Sequence, residues 1–533
     1  MTSVLKTTSL GEIRGKHDDG VVQYLGLKYA SLKNRLADAE LVDSRKDGSV
    51  LDATKDGPTA VSPLFGCDLE LGAIQHTLPK KDLPQSDLDC LNLNIAVPAG
   101  TTATSRLPVF VFIHGGGLII GANSWPQFDY ARFVKLSAEM NLPIVAVSIN
   151  YRLGAFGFLT SEELRKAGYK ANNGLRDQRV ALQWIQKHIQ DFGGDPENVT
   201  LTGMSAGGAS VTYHLHSDEP LFKRAIVMSG TYFLTEPQPY EMHEQNYQKA
   251  MEALGLSNAT ADERLRVLLE TPGQELISKI PPSVISAPAI DGDVVLSVAT
   301  HAETSDKNSN VPKGKAWCKE LMIGDAQMDA SIMPLFMSHL KEGCGNNFVA
   351  AINKVLANVP TSAQQILESY GIKEDMPDEE AFSAILNYSN DISSFIPVLS
   401  FAEGWPGKAY VYYFNEGNPW EGPCKNKASH ILDLAYLFQN FREFMTPAQQ
   451  SVATAFAKDV FKFCHGVVPW PAVTGIQDGF TARTYGPSSN EPTVGQVKQA
   501  YGRESKRRTI LCDNTDQVPQ DDLAEVLSVF KSM

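Results

Sequence analysis

The chain has 533 residues, 43% of them hydrophobic and 20% charged, with a formal net charge of −14 at pH 7. That length and balance fit a globular protein with a large core. They exclude the basic face that non-specific nucleic-acid binding requires, and no run of about 20 apolar residues is present to span a membrane.

The first ten residues lack the apolar core and cleavage site of a secretory leader. The cysteines, Cys67, Cys90, Cys318, Cys344, Cys424, Cys464 and Cys512, form no C-x-x-C pair and no Cys/His cluster of zinc spacing. Reduced thiols in a cytoplasmic protein are expected, with no metal and no cofactor.

Residues 21–27 read as a strand, and residues 66–90 as a polar loop bounded by Cys67 and Cys90. Residues 91–97 alternate apolar and polar, the period of a half-buried strand. Residues 109–113 are continuously apolar, as in a strand covered on both faces, and run into His114-Gly115-Gly116-Gly117. A helix over 131–140 precedes a second buried strand at 144–149. Ala181, Trp184, Ile185, Ile189 and Phe192 mark one helix face, closed by Gly193-Gly194 and Pro196. A strand at 199–202 then enters Gly203-Met204-Ser205-Ala206-Gly207, followed by a helix and a strand at 225–228. Late strands are expected at 321–323 and 410–414.

Alternating strand and helix signals predict a doubly wound, mostly parallel sheet flanked by helices. With no repeat and no linker, the reading is one α/β domain over 1–533. Helical insertions around 231–315 and 331–400 would roof the site.

The G-x-S-x-G segment carries the chemistry. A serine on a tight strand-to-helix turn presents its hydroxyl above a sheet, and flanking glycines avoid backbone clashes there. A serine hydroxyl is a poor nucleophile unaided. It needs a histidine base, and that base needs a carboxylate. The backbone N–H groups of Gly116, Gly117 and Ala206 are the candidate oxyanion donors. His114 precedes the serine and reads as structural. His339, His430 and His465 lie late enough to be the base. His430, on a loop just before a helix, is best placed. Asp325 and Asp329 both follow the strand at 321–323, and the residues alone do not separate them; either can cap the next helix.

Several segments together resemble the type-B carboxylesterase family, which includes cholinesterases and fungal and bacterial esterases. They are Leu25-Gly26-Leu27-Lys28-Tyr29-Ala30, Asp89-Cys90-Leu91-Asn92-Leu93-Asn94, Asn173-Gly174-Leu175-Arg176-Asp177-Gln178, Phe192-Gly193-Gly194-Asp195-Pro196, the elbow through Gly208, Ala289-Ile290-Asp291-Gly292 and the block around His430. The chain is similar to a fungal-type intracellular member. The resemblance implies an α/β-hydrolase fold, with Ser205 as nucleophile, Asp329 as acid and His430 as base. It also implies that Ser229 supports the triad through a further hydrogen bond. Three departures stand out. Aspartate replaces the usual glutamate acid, Leu88 replaces an acidic residue before Asp89-Cys90, and Leu118 replaces a common aromatic. Cys67 and Cys90 match cysteines that secreted relatives bridge.

The expected reaction is cleavage of a small carboxylic ester through an acyl-serine, by a monomer or homodimer. An ordinary imidazole titrates near about 6.5, so activity should rise with pH through that region. The same acyl-serine passed to an alcohol or amine would make the protein an acyltransferase or a dimer-forming enzyme. A non-catalytic binding protein on this scaffold is the remaining reading. Leu118, Tyr232, Phe233 and Phe395 are candidates to line the acyl pocket, against ordinary core packing.

Overall fold

The structure, a computed structural model, describes residues 2–45, 48–284, 287–475, 481–488, 493–496, 505–513 and 517–533. Its frame is one large sheet. In spatial order the strands are Thr2–Lys6, Glu12–Asp18, Val21–Lys28, Asn92–Pro98, Val145–Ile149, Leu107–Ile113, Gly194–Met204, Arg224–Met228, Glu320–Ala326, Lys408–Phe414, Thr481–Tyr485 and Thr493–Gln496. Pairing is antiparallel from the first strand to Val145–Ile149, parallel from there to Thr481–Tyr485, and antiparallel at the last pair.

The central strands form because both of their faces are covered. Val109, Val111 and Ile113 point into one apolar cluster with Trp184, Leu182 and Val211. Phe110 and Phe112 point into the other with Phe133, Phe438 and Phe461. The helices Asn173–His188 and Ala206–His214 lie on the first face. Ala131–Glu139 and Pro447–Cys464 lie on the second. This is the layered α/β-hydrolase arrangement that the sequence resemblance implies.

The order of the strands positions the site. After Leu107–Ile113 the chain adds Val145–Ile149 on one side, then Gly194–Met204 on the other. The winding direction therefore reverses at this pair. In open α/β sheets, ligands bind outside the carboxyl ends of strands at such a switch point. The triple-glycine loop and Ser205 leave these two carboxyl ends.

The observed elements extend the expected ones. The helix marked by Trp184 begins at Asn173, and the strand at 199–202 spans Gly194–Met204. The stretch 66–90 is not all loop: Gly66–Ile74 is a helix with Glu70, Leu71 and Ile74 buried. Within 331–400, the helix Asp378–Asn390 widens into a π-turn over Asp391–Phe395 before continuing as Ile396–Gly404. Pro397 explains the widening. It lacks an N–H, and its ring would clash with the carbonyl four residues back. The chain ends in two helices, Ser505–Asp513 and Gln520–Lys531.

Candidate active site

Ser205 caps the helix Ala206–His214 with φ 56° and ψ −125°, outside the ordinary allowed regions for an L-residue. Such a conformation costs on the order of 1–3 kcal/mol and persists only where neighbours enforce it. Two observations show the enforcement. Ser205 N–H donates to Met228 O at 2.9 Å, fastening the turn to the next strand. A Cβ on Gly203 would lie 2.1 Å from Gly207 O, and one on Gly207 would lie 2.1 Å from Ile113 O. Only glycine allows strand, turn and helix to approach this closely.

The triple-glycine loop passes directly beside the serine: a Cβ on Gly115 would stand 3.1 Å from Ser205 Cβ. Gly116, at φ 98°, turns the loop back so that its carbonyl accepts from both Ile119 and Ile120 N–H at 3.0 Å. The N–H groups of Gly116, Gly117 and Ala206 donate to no group among the described residues. His114 props the loop. Its Nδ1 donates to Gly115 O at 2.9 Å, its ring stacks on Tyr151, and burial pushes its pKa down to about 4. It is a neutral support, as its sequence position implied.

Asp329 follows the strand Glu320–Ala326, and His430 lies beyond the neighbouring strand Lys408–Phe414. The two loops are zipped together. Met328 N–H donates to Ala428 O at 2.9 Å, and His430 N–H to Ser331 Oγ at 3.0 Å. The side chains then meet: His430 Nδ1 donates to Asp329 Oδ1 at 2.8 Å, with the residues 5% and 4% exposed. Asp329 Oδ2 accepts Ala326 N–H at 3.0 Å. A donating Nδ1 leaves the lone pair on Nε2. That nitrogen is buried and makes no hydrogen bond, to Ser205 Oγ included. Catalytic hydrogen bonds are commonly long in a free enzyme and close when substrate binds. A hydroxyl, a basic nitrogen and free amide donors above a parallel sheet are the parts that acyl transfer needs.

A model of the carboxylesterase family matches residues 2–473. The chain belongs to this family. It is 30% identical to Lipase 3 of Yarrowia lipolytica over 469 residues, covering 84% of this chain and 86% of that lipase. It is 27% identical to the para-nitrobenzyl esterase of Bacillus subtilis over 536 residues, covering 98% of each. A solved PNB esterase structure superposes with a TM-score of 0.73 at 25% identity, over 95% of this chain and 99% of that one. The protein is a carboxylic ester hydrolase with the α/β-hydrolase fold.

The structure bears on four points that the sequence raised. First, Asp325 and Asp329 are separated by their partners. Asp325 points away from the histidine and pairs with Arg508 at 3.2 Å. Burial pushes its carboxyl up to about 7. Second, Ser229 makes no side-chain hydrogen bond; its Oγ is buried and unpartnered. Third, beside Leu88 the neighbouring Asp87 pairs with Arg35 at 2.5 Å. Fourth, all cysteines are unbridged, Cys67 and Cys90 among them.

Of the other base candidates, His339 is exposed, and His465 ends a packed helix with Nε2 bonded to Pro143 O at 3.0 Å. The proposed pocket residues differ in what they can touch. Phe395 has no exposed surface and lies under the Arg508 guanidinium, 4.3 Å from its ring centre. It is core. Tyr232 is buried, with its hydroxyl against Thr304 Oγ1 at 2.5 Å. Leu118 is buried at φ 63°. Phe233 is half-buried and stacks on His301.

Sequence reasoning missed two buried carboxyls that feel the charge of His430. Glu70 accepts from Gln127 Nε2 at 3.0 Å, and burial pushes it up to about 7. Asp433 accepts from Leu434 N–H at 2.8 Å and Tyr412 hydroxyl at 3.3 Å. Burial, then the charge of Asp329, raises it to about 7. The only sequence signal was an acid at a helix position flanked by apolar residues.

Proposed function

We propose that the esterase works through an acyl-serine, with Ser205 as nucleophile, His430 as base and Asp329 as the acid that orients it. Ser205 Oγ adds to the ester carbonyl carbon while its proton passes to His430 Nε2. The carbonyl oxygen becomes an oxyanion held by the N–H groups of Gly116, Gly117 and Ala206. Collapse expels the alcohol, which takes the proton from His430. Water then repeats both steps on the acyl-serine, releasing the acid and restoring the enzyme. The observation that carries this reading is the buried pair of His430 and Asp329, 2.8 Å apart, with Nε2 left unpartnered.

The test is Ser205→Ala, assayed on p-nitrophenyl acetate and for covalent labelling by a fluorophosphonate. Loss of both turnover and labelling at unchanged folding is expected. Near-wild-type turnover would refute the assignment. Product analysis with an added alcohol acceptor separates hydrolysis from transfer, since transfer would yield a new ester in place of the free acid.

A further inference from the structure

The end of the chain reaches back to the loop that carries Asp329. Arg508, on the helix Ser505–Asp513, is 2% exposed. Its Nε donates to Asp391 Oδ1 at 2.8 Å and a terminal nitrogen donates to Asp325 Oδ2 at 3.2 Å. Arg507 Nε meets the other Asp391 oxygen at 2.6 Å, and Tyr370 hydroxyl joins it at 3.0 Å. Asp391 and Asp325 are 0% and 1% exposed, and the Arg508 guanidinium that bridges them offsets part of the cost of burying them.

Both carboxylates connect to Asp329. Asp325 is the last but one residue of the strand Glu320–Ala326, at the base of the acid loop. Asp391 opens the π-turn just after Asn390. Asn390 clasps the loop from both sides of Asp329: its Oδ1 accepts Ala330 N–H at 2.9 Å and its Nδ2 donates to Gln327 O at 3.3 Å. The same Nδ2 lies 3.3 Å from Asp391 Oδ1.

We propose that Arg508 is a positioning residue for the catalytic acid. By bridging Asp325 and Asp391 it joins the strand end and the Asn390 turn into one frame around Asp329, and so sets the hydrogen bond to His430. Without it nothing ties Asp325 to Asp391, and the frame is no longer held from both sides. Misplacement of a reacting group by about 1 Å can cost about 100-fold in rate. The proposal rests on the reading of Asp329 as the acid.

The experiment uses the full chain with Arg508→Gln, Arg508→Lys, Asp329→Asn and Arg508→Gln in the Asp329→Asn background. Readouts are kcat and KM on p-nitrophenyl acetate, thermal melting, and the low-field NMR signal of the His430 Nδ1 proton. Arg508→Gln should lower kcat about 10- to 100-fold with KM within about twofold, and should broaden or abolish the low-field signal. Arg508→Lys should recover part of kcat, since it restores the charge without the fork that spans two carboxylates. Combined with Asp329→Asn, Arg508→Gln should cause no further loss, because it acts through the missing acid.

A folded Arg508→Gln enzyme with kcat within twofold of wild type, while Asp329→Asn is impaired, overturns this proposal alone. So does a full additional loss in the Asp329→Asn background. Near-wild-type kcat in Asp329→Asn overturns the acid assignment and this proposal with it. If Arg508→Gln fails to fold, the isosteric Asp325→Asn decides. A several-fold lower kcat at unchanged melting supports the frame, and an unchanged kcat overturns it.

Discussion

Replacing Glu70 with glutamine should stabilise the esterase at alkaline pH and leave it unchanged at acid pH. Glu70 is buried on the helix Gly66–Ile74 with Oε1 bonded to Gln127. Burial raises its carboxyl from 4.5 to about 7; Gln127 and the charge of His430 oppose the rise. The gap between those values corresponds to on the order of 3 kcal/mol. The folded-state pKa lies above the unfolded one, so folding favours the protonated form. Stability is therefore lost as pH climbs from about 4.5 to about 7 and stays lost above. Glutamine is neutral at every pH, and its amide oxygen keeps the bond from Gln127. At pH 3.5, below both values, the two proteins should melt together. At pH 8.5 the variant should be more stable by up to about 3 kcal/mol. At about 2.1 cal/mol/K per residue, the unfolding entropy of 533 residues is roughly 1.1 kcal/mol/K, so Tm should rise by about 2–3 °C. Scanning calorimetry at the two pH values measures this. An equal shift at both pH values, or a lower Tm for the variant at pH 8.5, would refute a destabilising buried charge at Glu70.

Three further outcomes follow from the same geometry. Ser229→Ala removes a hydroxyl that bonds to nothing, so it should cost less than about 1 kcal/mol and leave kcat within about twofold; a tenfold loss would show that Ser229 engages the triad during turnover. Gly207→Ala places a methyl 2.1 Å from Ile113 O and 2.9 Å from His114 O, so it should cost at least about 3 kcal/mol in urea unfolding or prevent folding; a stable, active variant would contradict the tight elbow. Arg152→Leu removes the two guanidinium donors to buried Asp177, at 2.6 and 2.8 Å, and leaves it only the backbone N–H at 3.0 Å. That should cost about 3–5 kcal/mol, and adding Asp177→Leu should restore part of it; an unaffected single variant would mean that Asp177 finds another partner.

What could be read from the sequence was what repeats locally. The buried strands showed because both faces of Leu107–Ile113 and Val145–Ile149 are covered, which forces continuous apolar runs. The elbow showed because close backbone approach admits only glycine at Gly203 and Gly207. What escaped depends on distant partners. Asp325 and Asp329 flank the end of one strand, and what separates them is that Asp329 meets a histidine 101 positions on and Asp325 an arginine 183 positions on. The helix Gly66–Ile74 has only three buried side chains besides its first glycine, too few to mark a period. The role expected of Ser229 likewise depends on a distant partner, and its hydroxyl has none among the described residues.

Four non-glycine residues around the site hold positive φ: Leu118 at 63°, Ser205 at 56°, Ser229 at 50° and Ile431 at 69°. Ile431 is the most telling, because a β-branched residue is strongly disfavoured there. It directly follows His430 and caps the helix Leu432–Leu437. Each such residue costs on the order of 1–3 kcal/mol, and nothing in the local sequence compensates for it. The compensation is tertiary: the parallel strands below, the zipped loops of Asp329 and His430, and the packed triple-glycine loop leave these backbones no other path. The sharp turns let loops from neighbouring strands converge above the sheet. A relaxed turn at Ser205 or Ile431 would lower the local energy and carry the hydroxyl or the imidazole away from the point where they must meet.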